Sequence, residues 1–155
     1  MEKTALFPGS FDPFTVGHES VVRRALPLFD KIVIGIGLNE TKSGYFPLSA
    51  RVEWIKKLFS KETQIEVHTY SGLTVDYCRE IGANYILRGL RTSADFEFER
   101  AIGQTNKLLD KNIETIFLLT RPEHTFMSSS IVRDIYKNGG DISAFIPQGM
   151  KIELE

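Results

Sequence analysis

Five short apolar runs alternate with segments of helical periodicity along this chain, and that alternation restricts its fold more than any other feature. The strands are predicted at 4–7, 31–36, 65–68, 85–87 and 115–119. Helices are predicted after Thr15, at 49–59, 75–81 and 93–109, and from Ser129 to the Asn138-Gly139-Gly140 break. The run at 31–36 has no polar interruption, as expected of a central strand buried on both faces. The sequence therefore predicts an α/β fold with a doubly wound, five-stranded parallel sheet.

Composition and charge restrict the class of protein. The 155 residues fit one domain, predicted to span 1–155, with 19 Lys and Arg against 20 Asp and Glu. A nucleic-acid-binding protein usually carries a basic surplus, so this balance argues against nucleic-acid partners. No signal-peptide pattern and no apolar run of about 18 residues is present, which argues against a membrane protein. The single cysteine is compatible with a reducing compartment, and we expect a cytoplasmic protein.

The loop after the first predicted strand has the features of an anion-binding turn. It reads FPGSFDPFTVGH over positions 7 to 18, where Gly9 permits close backbone approach and Ser10 adds a hydroxyl. Thr15 is placed to cap the next helix, whose amino terminus attracts phosphate. The partial positive charge at the helix amino terminus disfavours a protonated imidazole, so we expect His18 to act as a neutral hydrogen-bond donor. The alternative is a glycine that only shapes a turn, followed by a capping or surface histidine.

A second cluster follows the fourth predicted strand. The predicted loop Arg88-Gly89-Leu90-Arg91 carries two guanidinium groups that can face one anion. Glu97 and Glu99 on the next helix could hold sugar hydroxyls, a metal ion or a neighbouring arginine. The alternative is a solvated basic turn, but the carboxyl ends of parallel strands meet at one sheet edge, which favours a shared site.

Other residues have simpler interpretations. A single serine at a helix start is usually a cap, whereas Ser128, Ser129 and Ser130 together could form a second phosphate nest. Cys78 is predicted to lie in the core. The apolar side chains of the longest predicted helix are interpreted as packing residues rather than as a cofactor site; they are Phe96, Phe98, Ile102 and Leu109.

Several of these segments resemble known motifs. Thr15-Val16-Gly17-His18 resembles the T/H-x-G-H signature of the nucleotidyltransferase superfamily. The run RGLRTSADFEFE at 88–99, combined with the FDP-x-T-x-GH loop, resembles the bacterial phosphopantetheine adenylyltransferases. That resemblance continues through MSSSIVRD at 127–134 and GDISAFIP at 140–147. It implies a Rossmann-like nucleotidyltransferase fold over nearly the whole length.

The resemblance also implies a reaction and a set of site residues. The expected reaction is direct in-line transfer of the adenylyl group of ATP to 4′-phosphopantetheine, which yields 3′-dephospho-coenzyme A and pyrophosphate. The implied catalytic residues are His18, Lys42 and Arg91, and the implied acceptor-binding residues are Ser10, Lys42, Thr74 and Arg88. The implied ATP-binding residues are Ser10, Phe11, His18, Gly89, Leu90, Arg91, Glu99, His124, Thr125, Phe126, Met127, Ser128, Ser129 and Ser130. Mg²⁺ is expected on the substrate phosphates without protein ligands, and the assembly is expected to be a homohexamer.

Two other functions remain compatible with the sequence. One is another adenylyl- or cytidylyltransferase, such as an enzyme that acts on nicotinate mononucleotide. The other is a regulator that binds a nucleotide without catalysis. Such a regulator would release no pyrophosphate with any acceptor, and it would not need both His18 and Lys42.

Overall fold

The predicted five-stranded parallel sheet is present. The computed structural model describes residues 1–39, 41 and 43–152. The strands are β1 (Thr4–Gly9), β2 (Lys31–Gly37), β3 (Ile65–Tyr70), β4 (Tyr85–Leu90) and β5 (Glu114–Leu119). They lie in the order β3-β2-β1-β4-β5, and every neighbouring pair is parallel. The order reverses between β1 and β4, so the carboxyl ends of these two strands flank the crevice where such sheets bind ligands.

Helices connect the strands much as the periodicity predicts. They are α1 (Val16–Ala25), α2 (Leu48–Leu58), α3 (Thr74–Ile81), α4 (Ser93–Leu109) and α5 (Ser129–Lys137), with short 3₁₀ turns at Leu26–Leu28 and Pro122–His124. Pro27 lies in the first of these turns, immediately after α1 ends. Gly82 ends α3 with a φ of 70°, a conformation that glycine adopts without a Cβ clash. Among the described residues, no helix is both long and apolar enough to cross a membrane.

Both faces of the sheet are covered by buried side chains. Along β2, Ile32, Ile34 and Ile36 belong to one apolar cluster, while Val33 belongs to a second cluster on the opposite face. This alternation between two buried faces explains the unbroken apolar run of the central strand. Cys78 of α3 is completely buried in the second cluster, as predicted.

The segment after α5 is part of the first cluster, although its sequence shows little periodicity. Ile142, Ile146 and Met150 are buried there. In the same segment, the carbonyl oxygen of Phe145 accepts a hydrogen bond from the backbone N–H of Val16, at 2.9 Å. The later part of the chain therefore packs directly against the first turn of α1.

Two details differ from the sequence predictions. Strand β4 continues through Leu90 because Arg88, Gly89 and Leu90 pair with β5, so Arg88 lies in a strand and not in a loop. On α4, all four apolar residues named in the prediction are exposed, from 40% at Phe96 to 69% at Phe98. The interpretation of the apolar residues of α4 as packing residues is therefore wrong within this chain.

Candidate active site

A cavity of about 270 Å³ lies at the carboxyl ends of β1 and β4. It brings together the two clusters that the sequence singled out, since His18, Arg88 and Arg91 all line it. Its wall consists of Phe7, Pro8, Gly9, Ser10, Phe11, Thr15, Gly17, His18, Val21, Arg88, Gly89, Arg91, Asp95, Glu99, Thr120, His124, Met127, Ser128 and Ser129. The imidazole and both guanidinium groups therefore belong to one site.

His18 is held in a fixed orientation at the start of α1. Thr15 caps the helix by accepting a hydrogen bond from the backbone N–H of His18, at 3.3 Å. In return, the backbone N–H of Thr15 donates to Nδ1 of His18, at 3.0 Å. Because Nδ1 is an acceptor in this capping box, the neutral imidazole carries its proton on Nε2. His18 can therefore present one N–H donor from its other ring nitrogen.

The surroundings of His18 keep the imidazole neutral. Burial, followed by the positive charges of Arg88 and Arg91, lowers the pKa of His18 from 6.5 to about 3. The rings of Phe11 and Phe14 pack against it, with centroids 5.0 Å and 5.2 Å from the imidazole. The expectation of a neutral imidazole is confirmed, and the largest cause is burial, followed by the two arginines.

This shift gives a testable dependence of stability on pH. Below pH 6.5 the unfolded chain binds a proton at His18, whereas the folded chain does not until its pKa of about 3 is approached. Above pH 6.5 the His18 side chain is neutral in both states. Below pH 6.5, proton binding to the unfolded chain lowers the free energy of unfolding by at most about 1.4 kcal/mol per pH unit. We expect the wild type to lose more unfolding free energy than His18→Gln between pH 7 and pH 5, as measured by urea denaturation. Equal losses of unfolding free energy in the two proteins would contradict the lowered pKa of His18.

Arg88 is fixed by a carboxylate and a backbone oxygen. Its Nε and Nη2 donate to the two carboxylate oxygens of Glu99, at 3.0 Å and 2.6 Å. Its Nη1 donates to the carbonyl oxygen of Pro8 in β1, at 2.6 Å. The Arg88–Glu99 pair thus connects β4, α4 and the end of β1. Of the three roles considered for Glu97 and Glu99, the structure shows the contact with a neighbouring arginine for both. Glu99 contacts Arg88, whereas the exposed Glu97 contacts Arg100 and lies outside the wall of the cavity.

A second cavity, of about 260 Å³, adjoins the first. The two share Pro8, Gly9, Ser10, Arg88 and Glu99, so the Arg88–Glu99 pair lies in their common wall. The rest of the second cavity is formed by Gly37, Tyr70, Thr74, Ile86, Ile102, Gly103, Asn106 and Thr115. The hydroxyl groups of Thr74 and Tyr70 lie 3.1 Å apart there. Two ligands could therefore approach each other at Ser10 and Arg88 from different sides.

The three serines at the start of α5 already have partners within the protein. Ser128 is the cap, since its Oγ accepts from the backbone N–H of Ile131 at 3.2 Å. The Oγ of Ser129 donates to the carbonyl oxygen of Pro13 at 2.8 Å. The Oγ of Ser130 accepts from Arg133 at 3.1 Å. The hydroxyl groups thus order the loops around the cavity, and the backbone amides at the start of α5 are the better candidates for phosphate contacts.

The remaining candidate residues fall into three groups. Gly89, His124 and Met127 line the first cavity, and Nδ1 of His124 is buried without a hydrogen-bond partner among the described residues. Four others lie outside the wall that the described residues form; they are Leu90, Thr125, Phe126 and Ser130. Lys42 lies outside the described residues.

A buried ion pair beside the site was not anticipated from the sequence. Asp12 and Arg51 are each only 5% exposed. The carboxylate of Asp12 accepts the backbone N–H groups of Tyr45 and Phe46, at 2.7 Å and 2.9 Å. Arg51 donates to the carbonyl oxygens of Ser10 and Phe46, at 2.7 Å and 3.0 Å. The Asp12–Arg51 pair therefore ties the loop after β1 to the segment that precedes α2.

Fold and site together define a nucleotidyltransferase. Residues 6–135 match the cytidylyltransferase-like family. The fold is similar to a putative nicotinate-nucleotide adenylyltransferase from Vibrio parahaemolyticus, with a TM-score of 0.70 and 20% identity over 97% of this chain and 96% of that one. It is also similar to a bifunctional NMN adenylyltransferase/ADP ribose pyrophosphatase from Francisella tularensis, with a TM-score of 0.69 and 16% identity over 94% of this chain and 45% of that one. At these identities the likeness concerns the fold alone.

Closer relatives define the family. The chain is 52% identical to the phosphopantetheine adenylyltransferase of Flavobacterium psychrophilum, over 97% of this chain and 99% of the relative. It is 50% identical to that of Cytophaga hutchinsonii, over 95% of this chain and 98% of the relative. It is 51% identical to that of Bacteroides fragilis, over 97% of this chain and 99% of the relative. The chain belongs to the phosphopantetheine adenylyltransferase family.

Proposed function

We propose that this protein transfers the adenylyl group of ATP to 4′-phosphopantetheine, which forms 3′-dephospho-coenzyme A and pyrophosphate in coenzyme A biosynthesis. The observation that carries the proposal is the pair of adjoining cavities with Ser10, Arg88 and Glu99 in their common wall. The first cavity is lined by the imidazole and both arginines. The second is lined by Arg88 and Thr74, and we assign it to the acceptor. In this proposal, residues 1–155 act as one nucleotidyltransferase domain.

The chemistry requires no protein nucleophile. An oxygen of the acceptor phosphate attacks the α-phosphorus of ATP, opposite the oxygen that bridges to the β-phosphorus. The new O–P bond forms as the bridging O–P bond breaks, and pyrophosphate leaves with the electron pair. The attacking phosphate is already anionic near neutral pH, so no general base is needed. Positioning and charge stabilisation are the contributions left to the protein.

The described residues can supply those contributions. His18 would donate its Nε2 proton to the α-phosphate, where charge develops during transfer. Arg91 would hold the β- and γ-phosphates, and Arg88 would hold the acceptor phosphate beside Ser10. A nucleotide in the first cavity could also satisfy the unpartnered Nδ1 of His124. Lys42 completes the proposed catalytic set.

Mg²⁺ enters this scheme as part of the substrate. Hydrated Mg²⁺ commonly binds through substrate phosphates, so we propose that it arrives as MgATP and leaves with pyrophosphate. Within residues 1–39, 41 and 43–152, no three His, Cys, Asp or Glu side chains are grouped to hold a metal ion.

A pyrophosphate-release assay tests the function directly. We expect release when ATP, Mg²⁺ and 4′-phosphopantetheine are all present, with a product whose mass equals that of 3′-dephospho-coenzyme A. Omitting Mg²⁺ should stop the reaction. Nicotinate mononucleotide as acceptor should give no release above the ATP blank. Release with nicotinate mononucleotide in preference to phosphopantetheine would support the rival enzyme, and ATP binding without release would support a regulator.

We further propose that the protein assembles as a homohexamer in the cytoplasm. The support is the apolar surface of α4, where Phe98, Leu108 and Leu109 are exposed. Exposed apolar surface of this kind is typical of protein contacts. We expect light scattering to give six times the chain mass for the wild type and a smaller assembly for Phe98→Glu. Glu97→Gln, on the neighbouring position, is the control and should leave the mass unchanged; a monomeric wild type would contradict the proposal.

A further inference from the structure

Asp95 lies in the first turn of α4, in the wall of the first cavity, and none of the sequence motifs assigned it a role. We infer that Asp95 is a positioning residue for the nucleotide side of the reaction, because its carboxylate fixes both the backbone and the side chain of Arg91. This inference deepens the proposed function and rests on it for the identity of the two substrates.

One carboxylate fixes Arg91 at two points. Oδ2 of Asp95 accepts the backbone N–H of Arg91 at 3.2 Å and its Nε at 3.1 Å. Oδ1 lies 3.5 Å from Nη2 of the same guanidinium. Asp95 is itself held by Thr92, whose Oγ1 accepts its backbone N–H at 3.2 Å. The position of the Arg91 side chain therefore depends on a single acidic group at the start of a capped helix.

Arg91 connects this helix to the other side of the cavity. Its Nη1 donates to the carbonyl oxygen of Met127 at 2.6 Å, immediately before the cap of α5. An arginine has five N–H groups, and the contacts with Asp95 and Met127 use three. Within the described part of the chain, these contacts leave one N–H on each Nη atom for a ligand. A fixed guanidinium with an N–H group left on each Nη atom suits contact with phosphate oxygens.

Glu99 provides an internal comparison one helical turn further along α4. It holds Arg88 by a similar bidentate contact, and Arg88 also donates to a backbone carbonyl. The two carboxylates differ in location, however, because Glu99 lines both cavities and Asp95 lines only the first. A change at Asp95 should therefore affect the nucleotide and spare the acceptor, whereas a change at Glu99 should affect both.

The expected size of the effect follows from the role of positioning. A donor displaced by about 1 Å can lower the rate by about 10²-fold, although it is still present. Asp95→Asn keeps the shape of the side chain but removes its charge and its second acceptor. We expect it to lower kcat/KM for ATP by about 10- to 100-fold. The KM for phosphopantetheine should change by less than about twofold, because Arg88 and Glu99 are untouched.

The test compares Asp95→Asn with Glu97→Gln. The control lies on the same helix and also removes one carboxylate that pairs with an arginine, since Glu97 contacts Arg100 at 3.0 Å, but it lies outside both cavities. Both variants should melt within a few degrees of the wild type. Of these two variants, only Asp95→Asn should show the lower kcat/KM for ATP. Asp95→Glu should recover part of that kcat/KM. Equal kinetics for the two variants, or parallel rises in both KM values, would overturn the inference.

Calorimetric titration with ATP keeps this test separate from the proposed function. If the wild type releases no pyrophosphate with phosphopantetheine, the proposed function fails, yet the binding of ATP can still be measured. We expect Asp95→Asn to bind ATP at least about 10-fold more weakly than Glu97→Gln, in line with the loss of a fixed bidentate donor. Equal affinities would overturn the role of Asp95 whatever the acceptor proves to be.

Discussion

His18→Ala should lower kcat by about 10²- to 10³-fold, the usual loss for one donor to a developing charge. The reason is the loss of the Nε2 proton donor, which the capping contact at Nδ1 fixes in its tautomer. The substitution also removes the acceptor of the Thr15 N–H, and the loss of such a helix cap costs about 1 kcal/mol. The fold should therefore persist while turnover collapses. Steady-state kinetics and a urea denaturation curve measure the two effects separately.

His18→Gln is the matched control for this prediction. Glutamine three residues after the Thr15 cap is a standard partner in a capping box, so it should restore most of the lost stability. Its side-chain amide also carries N–H groups, so any turnover above that of His18→Ala measures how far an amide donor replaces the imidazole N–H. If alanine at this position retained near-wild-type kcat, His18 would have no part in the mechanism.

Arg51→Met should cause the largest loss of stability among single substitutions near the site, about 3–5 kcal/mol. It removes the guanidinium from a pair in which both residues are only 5% exposed, and Asp12 then remains as a buried charge. The carbonyl oxygens of Ser10 and Phe46 also lose their donors. Methionine keeps much of the side-chain volume, so the loss reports on charge and hydrogen bonding and not on a cavity. The midpoint of urea denaturation should fall accordingly.

Arg79→Met separates this effect from the general loss of an arginine. Arg79 also contacts carboxylates, those of Asp76 and Asp110 at 2.7 Å each, and the carbonyl oxygen of Leu109 at 3.1 Å. It is exposed, however, and exposed ion pairs contribute little to stability. The control should therefore unfold at nearly the wild-type urea concentration. Similar losses for the two variants would show that the Asp12–Arg51 pair has no special importance.

The sequence predicted those parts of the fold that depend on local patterns. The apolar run of β2 and the cap at Thr15 are both readable from neighbouring residues, and the structure confirms them. The neutral state of His18 was also predicted, because the field of a helix terminus is a local property. Patterns of this kind were sufficient for the sheet and for the capped start of α1.

The sequence could not predict features that depend on distant partners. Arg88 and Gly89 look like a loop until β5 pairs with them, and that pairing joins residues about thirty positions apart. The Asp12–Arg51 pair likewise joins separate loops, and no periodicity marks either residue. The exposure of Phe98 was missed for the opposite reason, because an apolar pattern on a helix does not show whether its partner lies in the same chain. The Arg91–Asp95 contact was the one missed feature with a local signal, since the two residues are four apart.

The hydrogen bond from Val16 to Phe145 links α1 to a segment that the ribosome adds much later. A nascent chain that has not yet reached residue 142 has made Ser10 and His18, but the leading amide of its first helix lacks this carbonyl partner. The buried side chains of Ile142 and Ile146 are then missing from the core as well. Synthesis of residues 142–150 and completion of the packing around the first turn of α1 should thus coincide.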